Sequence, residues 1–392
     1  MKPRKTALIC ISDLYLTRGL QLRDYYLSRN DEVRLLTIDF SHRDKKPITN
    51  PPEGVTLLHH RPYQKNLSWQ RLLGHYEFAR ACRKDLEEWK PNRIHCLVPA
   101  NSLARQMGLY KKAHPEVQLI FDLNDLWPES LPIHGFEKTP PARIWRHLRN
   151  EWLPEADLVF AECGLFAQTI EQQTGIQAKK LYWSADLPDL HIDPHPDPEI
   201  FSLCYLGSVN NIIDLDWLES LLRALSAIRP VTLHLMASGE KKPELMERAG
   251  KYATVIDHGL VYEPQARQDI FDLCHYGLNI MKDNVRIGLS MKSIDYLAGG
   301  LPLINSLHGD IEEWIDQYDC GINIDRQSPS KTAANIEAIS PEKHQQMRQA
   351  ARTVYEEWLS KKVFERTLDQ ALDALDQKRL LPEENRKSET EN

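Results

Sequence analysis

Apolar and polar positions along this chain follow two periods that keep replacing each other. Short runs dense in aliphatic residues, KTALICIS, EVRLLTIDF, GVTLLHH, RIHCLVPA, VQLIFDL and ADLVFAEC, predict strands. Between them, LQLRDYYLSR, NLSWQRLLGHYEFARACRKDLEEW and a stretch from about Ser102 repeat their apolar residues three and four apart, which predicts helices. A loop containing Gly19 is expected between the first strand, ending at Asp13, and the first helix. Strands alternating with helices through short connections imply parallel sheets covered by helices, an α/β doubly wound class.

The texture breaks at 184–200, SADLPDLHIDPHPDPEI, which is rich in proline and aspartate and holds no period, so a linker is expected there. Alternation then resumes through FSLCYLGS, DWLESLLRALSAI, VTLHLMAS, a helix over 242–250, ATVIDHGLV, QARQDIFDLC and YGLNIM. From Ser340 the pattern is helical, and the polar tail PEENRKSETEN is expected to be disordered. A chain of 392 residues is long enough for two domains. The expected boundaries are 1–184, 185–364, a helix over 365–380 and a tail over 381–392. Two such α/β halves would face each other across a cleft suited to a nucleotide or sugar ligand.

Composition narrows the class. With 42% hydrophobic and 27% charged residues the chain is of soluble globular type, and no apolar run is long enough to span a membrane. The start, MKPRKTALICISD, has no cleavage-site pattern and reads as a strand, not a signal peptide. Seven scattered cysteines with no CxxC pair point to reduced thiols in a cytoplasm, without a disulfide frame or zinc site. Residues 1–180 carry 27 Lys+Arg against 21 Asp+Glu, leaving 22 and 35 of the chain's 49 and 56 for the remainder. A basic first half fits either an anionic surface or uneven solvated faces. The net charge of −7 and the lack of an aromatic-plus-basic motif speak against nucleic acid.

GxGxxG, GxxxxGK[ST], HExxH and GxSxG are all absent, which removes support for dehydrogenase, P-loop and hydrolase readings. One constellation remains, GLSMKSIDYLAGGLPLIN over 288–305. A loop with Arg286 and Gly288 leads into a helix that Ser290 caps, turning the N–H groups of Met291, Lys292 and Ser293 outward. With Lys292 this is an anion site fit for a phosphate or diphosphate, and Asp295 one turn on is placed to accept from sugar hydroxyls. The same residues also fit a capped surface helix with an i,i+3 Lys–Asp pair.

That stretch, followed by GDIEEWIDQYDCGINI, resembles the donor-binding segment of GT-B glycosyltransferases of the large retaining family four. YLGSVNN, DHGLVY, FDLNDLWPES and ADLVFAECGLF fit the same pattern in order, so the resemblance runs from residue 5 to about 375. It is nearest to bacterial transferases that build capsule, exopolysaccharide or lipid-linked glycans. It implies two Rossmann-like domains, the first binding the acceptor and the second the nucleotide sugar, with the C-terminal helix returning to the first.

By this resemblance Asp295 takes the second acid of an E-x7-E pattern and binds the donor's ribose, while the first acid falls at Ile287. Gly207 and Ser208 stand where relatives carry a diphosphate clamp, which is either missing or replaced by Arg286; Lys292 and the backbone around it are expected to compensate for the missing first acid. Ser290, Met291 and Ser293 complete the donor site, and Gly19, beside Arg18, brings backbone to the sugar and diphosphate or simply opens a helix. Asn124 stands where many relatives have histidine. Asp125 either activates the acceptor hydroxyl or caps a helix; Glu129 follows on the same acceptor side. Trp69, Leu72 and Leu73 among Arg71, Arg80, Arg83 and Lys84 fit an acceptor or membrane-facing surface, or an ordinary amphipathic helix.

The implied activity is metal-independent, retaining transfer of a hexosyl-type sugar from a nucleotide-diphosphate donor to a hydroxyl of a glycan or lipid-linked acceptor in surface polysaccharide biosynthesis. It needs no cofactor and takes place in the cytoplasm, with peripheral contact to the inner face of the plasma membrane. The alternatives are a sugar-nucleotide epimerase or hydrolase on the same fold, and a non-catalytic GT-B scaffold partner.

Overall fold

The structure is a computed structural model that describes residues 3–66, 68–131, 133, 135–185, 187 and 190–380. The expected disordered tail, 381–392, lies outside the described residues. The chain divides into two compact units, one holding the residues up to Leu181 together with those from Glu365 onward, the other Tyr182–Phe364.

The first unit runs β1 (Lys5–Ile9), α1 (Leu16–Ser28), β2 (Glu32–Ile38), β3 (Val55–Leu58), α2 (Trp69–Trp89), β4 (Arg93–Val98), α3 (Asn101–Ala113), β5 (Gln118–Leu123), α4 (Pro140–Asn150), β6 (Leu158–Ala161), α5 (Gly164–Thr174) and β7 (Lys179–Lys180). Its strands form one parallel sheet in the order β3-β2-β1-β4-β5-β6-β7. β4 and β5 are buried along their whole length, which is why RIHCLV and QLIFDL show no two-residue alternation of polarity.

The centre of this unit is not purely apolar. Arg18 of α1 reaches β5, its Nε donating to Asp122 Oδ2 at 2.7 Å and its Nη2 to Asp122 Oδ1 at 2.9 Å. Both side chains are wholly buried. His95 Nε2 lies 3.5 Å from the same carboxylate, and His95 Nδ1 meets the Tyr26 hydroxyl at 2.9 Å. Burial alone would raise the Asp122 pKa, but Arg18 and His95 hold it down at about 2.

The second unit runs β8 (Phe201–Ser208), α6 (Leu215–Ser226), β9 (Val231–Ser238), α7 (Lys242–Ala249), β10 (Thr254–Asp257), α8 (Pro264–Asp272), β11 (Tyr276–Asn279), α9 (Met291–Ala298), β12 (Leu303–Asn305), α10 (Asp310–Tyr318), β13 (Gly321–Asn323), α11 (Pro329–Glu337) and α12 (Pro341–Val354). These strands pair in parallel in the order β10-β9-β8-β11-β12-β13. The closing helix, α13 (Lys361–Leu380), packs back on the first unit as expected. Its spacing puts Asp369, Asp373 and Asp376 on one face. Asp369 accepts from Tyr25 at 2.8 Å, Asp373 from Arg29 at 2.8 Å and Asp376 from Arg4 at 2.8 Å.

Two local readings change. The loop expected to hold Gly19 is shorter, because turns closed by Leu14 N to Ser12 Oγ and Tyr15 N to Ser12 O start α1 early. Gly19 therefore sits in the first turns of α1, where an added Cβ would stand 3.4 Å from Leu35 and 3.7 Å from Cys10. ATVIDHGLV gives only a four-residue strand, since Asp257 Oδ1 accepts from Gly259 N at 2.9 Å and turns the chain. All seven cysteines are buried, and none forms a disulfide. Among the described residues no helix is long and apolar enough to cross a membrane.

Burial holds the imidazoles of His60, His75, His95 and His344 below their ordinary range, and those of His42, His234 and His275 at about 4. Unfolded histidines take up protons near pH ~6.5, the folded ones only at lower pH. The unfolded chain thus binds more protons over this window, so stability is full above about 6.5 and falls as the pH drops toward 4. Urea midpoints measured across that range should decline steadily; a flat profile would contradict this account.

Candidate functional site

In a doubly wound sheet the crevice for a ligand opens beyond the carboxyl ends of the strands, where crossovers diverge to opposite sides. In the second unit that point lies between β8 and β11, because β9 and β10 extend from one side of β8 and β11 to β13 from the other. Gly207 and Ser208 end β8 here. The φ of Gly207, +103°, is one that only glycine adopts without strain, and the space its Cβ would fill is open. Across the crevice the loop after β11 leads into α9. The two loops are tied where Lys282 N donates to Ile212 O at 2.9 Å.

Ser290 caps α9 as the sequence predicts, its Oγ accepting from Ser293 N. What orients the cap is a row of asparagines. Asn279 Nδ2 donates to Ser293 Oγ at 3.0 Å, and Asn279 Oδ1 accepts from Ser290 Oγ at 3.1 Å. Asn279 also donates to Asn305 at 2.9 Å and Asn305 to Asn323 at 3.0 Å, across strands in register. The helix start is therefore fixed by mutually satisfied amides, of which Asn279 and Asn305 are buried. Met291 and Arg286 are exposed beside it.

Lys292 and Asp295 do not pair with each other. Lys292 is 9% exposed; its Nζ lies 4.3 Å from the centroid of the Tyr205 ring and makes no hydrogen bond. Burial pushes its pKa down to about 7. Asp295 Oδ1 meets Arg267 of α8 at 3.1 Å. Burial raises the Asp295 pKa, and Arg267 opposes the rise. Ile287, at the place of the first acid, is half-buried in the loop.

In the first unit the loop after β5 carries Asn124, Asp125 and Glu129. Asn124 is buried, its Nδ2 donating to Asp122 O at 2.8 Å while Oδ1 has no partner. The Asp125 carboxylate accepts from Leu126 N at 2.9 Å, Trp127 Nε1 at 2.8 Å, Tyr15 at 3.4 Å and the Ser130 hydroxyl. Burial nevertheless leaves its pKa raised. Both Glu129 oxygens are taken: Arg146 Nε at 2.7 Å, Arg149 Nη2 at 3.1 Å and Gln173 at 2.8 Å on Oε1, and Arg149 Nη1 at 3.2 Å on Oε2. Burial favours a higher Glu129 pKa, but Arg149 and its hydrogen bonds keep it below the ordinary carboxylate range. Gly19 and Arg18 face the core contacts described above.

Several partners were not anticipated from sequence. Arg146 and Arg149 sit on α4, whose PPARIWRHLRN has arginines three apart and a proline start, signals that would have marked the helix. Tyr205 under Lys292, Arg267 on Asp295, and Tyr15 at Asp125 left no local signal, because each comes from a distant element. Among the described residues no three His, Cys, Asp or Glu side chains converge as metal ligands.

No protein-family model and no curated protein sequence matches the chain. Solved structures do match. Sucrose-phosphate synthase from Thermosynechococcus elongatus superposes with a TM-score of 0.70 at 14% identity, over 95% of this chain and 99% of that one. HepE from Anabaena, in complex with UDP and glucose, gives 0.65 at 14%, over 95% and 100%. The lipopolysaccharide outer core galactosyltransferase WaaB gives 0.64 at 14%, over 94% and 99%. At these identities the likeness is one of fold: two Rossmann-like units with a returning C-terminal helix, the GT-B architecture.

A buried ammonium without a hydrogen-bond partner costs folding energy. Lys292→Met keeps the length and the contact with Tyr205, so it should leave stability unchanged or raise it by about 1 kcal/mol. Urea unfolding of the two proteins measures this. A loss of more than about 1 kcal/mol would mean that the ammonium serves the fold itself.

Proposed function

We propose that the protein is a glycosyltransferase that moves a hexosyl-type sugar, with retention, from a nucleotide-diphosphate sugar to a hydroxyl of a glycan or lipid-linked acceptor in surface polysaccharide biosynthesis. The observation that carries this reading is Lys292, a buried amine with no hydrogen-bond partner in the first turn of a helix at the strand switch point. An anion bound there would draw a proton onto such an amine.

In this reading the diphosphate lies against the α9 N-terminus, near Gly207, Ser208, Ser290, Met291 and Ser293. Its charge restores the Lys292 pKa, so the lysine binds a proton and stabilises the leaving diphosphate as the glycosidic bond breaks. Arg286, on the exposed loop, supplies a second cation, and the charge is met without a metal. Asp295, held by Arg267, accepts from the ribose hydroxyls. In the first unit Asp125, fixed by its four donors, positions the acceptor hydroxyl, with Asn124 and Glu129 supporting the loop. The fold likeness to HepE, solved with UDP and with UDP-glucose, supports trying uridine donors first.

One observation favours a second reading, a non-catalytic scaffold on the same architecture: Asp125 and Glu129 are saturated by internal hydrogen bonds.

Titration calorimetry against UDP-, GDP- and other nucleotide sugars tests the donor site. The expected result is binding that, at about pH 8, takes up a proton, read from buffers of different ionisation heat. Lys292→Ala should abolish the uptake and weaken binding roughly 10- to 100-fold. Absence of binding to every donor would sink the reading. Sugar transfer, as opposed to release of free nucleotide without an acceptor, separates it from an epimerase or hydrolase.

A further inference from the structure

The first unit has a second feature that the donor chemistry does not use. Between α2 and α4 runs an open groove of about 760 Å³. Trp69, Leu72 and Tyr76 form one wall and Ile144, Trp145 and Leu148 the other, with Trp127 among the lining. Trp69 is 78% exposed and Ile144 72%. Large apolar side chains clustered at this exposure mark a surface that some apolar partner covers.

Donors of the floor are engaged elsewhere, and Asn101 Oδ1 is its one buried acceptor left without a partner among the described residues. Asn101 Nδ2 donates to the carbonyls of Trp127 at 3.0 Å and Trp145 at 2.8 Å, and Ser102 Oγ to that of His75 at 3.0 Å. A peptide's amides would find few partners here; a hydrocarbon chain needs none.

One end of the groove is cationic. Asn66 and Arg71 line it, and Asn66 joins Arg71 to Lys45: Arg71 Nη1 donates to Asn66 O at 3.0 Å and Lys45 Nζ to Asn66 Oδ1 at 2.6 Å. Both cations lie over the Tyr63 ring, at 5.6 Å and 4.5 Å, and Arg71 also lies 4.7 Å from the Trp127 ring centroid. Arg71 Nε is buried without a partner, and neither cation has a carboxylate at ion-pair distance among the described residues. Trp127 in turn donates to Asp125 at 2.8 Å.

We infer that this groove holds the hydrocarbon chain of a phosphorylated lipid, with Lys45 and Arg71 on its phosphate, so that the acceptor is lipid-linked. The inference rests on the reading of the Asp125 edge as the acceptor side. Charge complementarity selects the head: two adjacent cations, neither held in an ion pair among the described residues, match a phosphate. The apolar walls select the tail, and Arg71 stacks on Trp127, which donates to Asp125, so the head group comes near the residue that positions the hydroxyl.

Dodecyl phosphate below its micellar concentration is the probe, titrated calorimetrically into the full-length protein. It should bind one per chain, with inorganic phosphate at least about 100-fold weaker. Ile144→Glu and Leu72→Glu, at exposed positions that leave the core intact, should each weaken it by roughly tenfold or more. Lys45→Ala should cost about tenfold. Equal binding of inorganic phosphate, unchanged affinity in both glutamate variants, or no binding would overturn the inference. So would binding only to phosphatidylglycerol vesicles, which would make the helices a membrane-lying surface instead. UDP-sugar titration of the same variants separates the two readings: intact donor binding with no lipid binding rejects the groove alone.

Discussion

The first unit depends on two charges that never meet water. Arg18 enters from α1 and Asp122 from β5, an interior strand of the sheet, and neither is tolerable there without the other. Removing one partner of such a pair costs about 3–5 kcal/mol, more than most single packing contacts. The pair also sets geometry. Arg18 Nη2 donates to Leu181 O at 2.8 Å, so one guanidinium ties the first helix, the fifth strand and the last residue of the N-terminal segment. Asp125 leaves β5 three residues beyond Asp122, so the position of the candidate acceptor loop is inherited from that bond.

The second unit solves the same problem with neutral groups. Its switch point is framed by asparagines in register on three strands, which satisfy each other and the cap of α9 without net charge. Against that quiet background a single lysine is left without a hydrogen bond. A helix start held by an amide row has little room to shift toward solvent and relieve Lys292, so the cost of its burial stays in the folded chain.

What was legible in the sequence is what depends on neighbours in the chain. FSLCYLGS matches β8 residue for residue, Ser290 caps α9 as its place before an apolar turn dictates, and the strand–helix alternation gave the doubly wound class. What was not legible depends on partners far away in sequence. Arg18 reads as a loop residue beside a glycine until Asp122 is brought to it, 104 positions on. Asp295 reads as the natural partner of Lys292, three residues away, yet Arg267 and the Tyr205 ring take them separately. Glu129 looks available for a ligand until α4 and α5 close on it. In each case local spacing offers one pairing and the sheet supplies another.

The closing helix has a consequence in time. Asp376 bonds to Arg4 across 372 positions of sequence, and also to Arg93 and Gln118. A ribosome making this chain releases the first unit's strands long before α13 exists. Arg4 therefore waits with this counter-charge still unsynthesised, and Arg93 and Gln118 lack one of their partners, while the whole second unit is produced. The unit that begins the chain is the last to be finished, and a nascent chain cut short anywhere before α13 leaves Arg4 and Arg29 without the carboxylates that meet them in the finished fold.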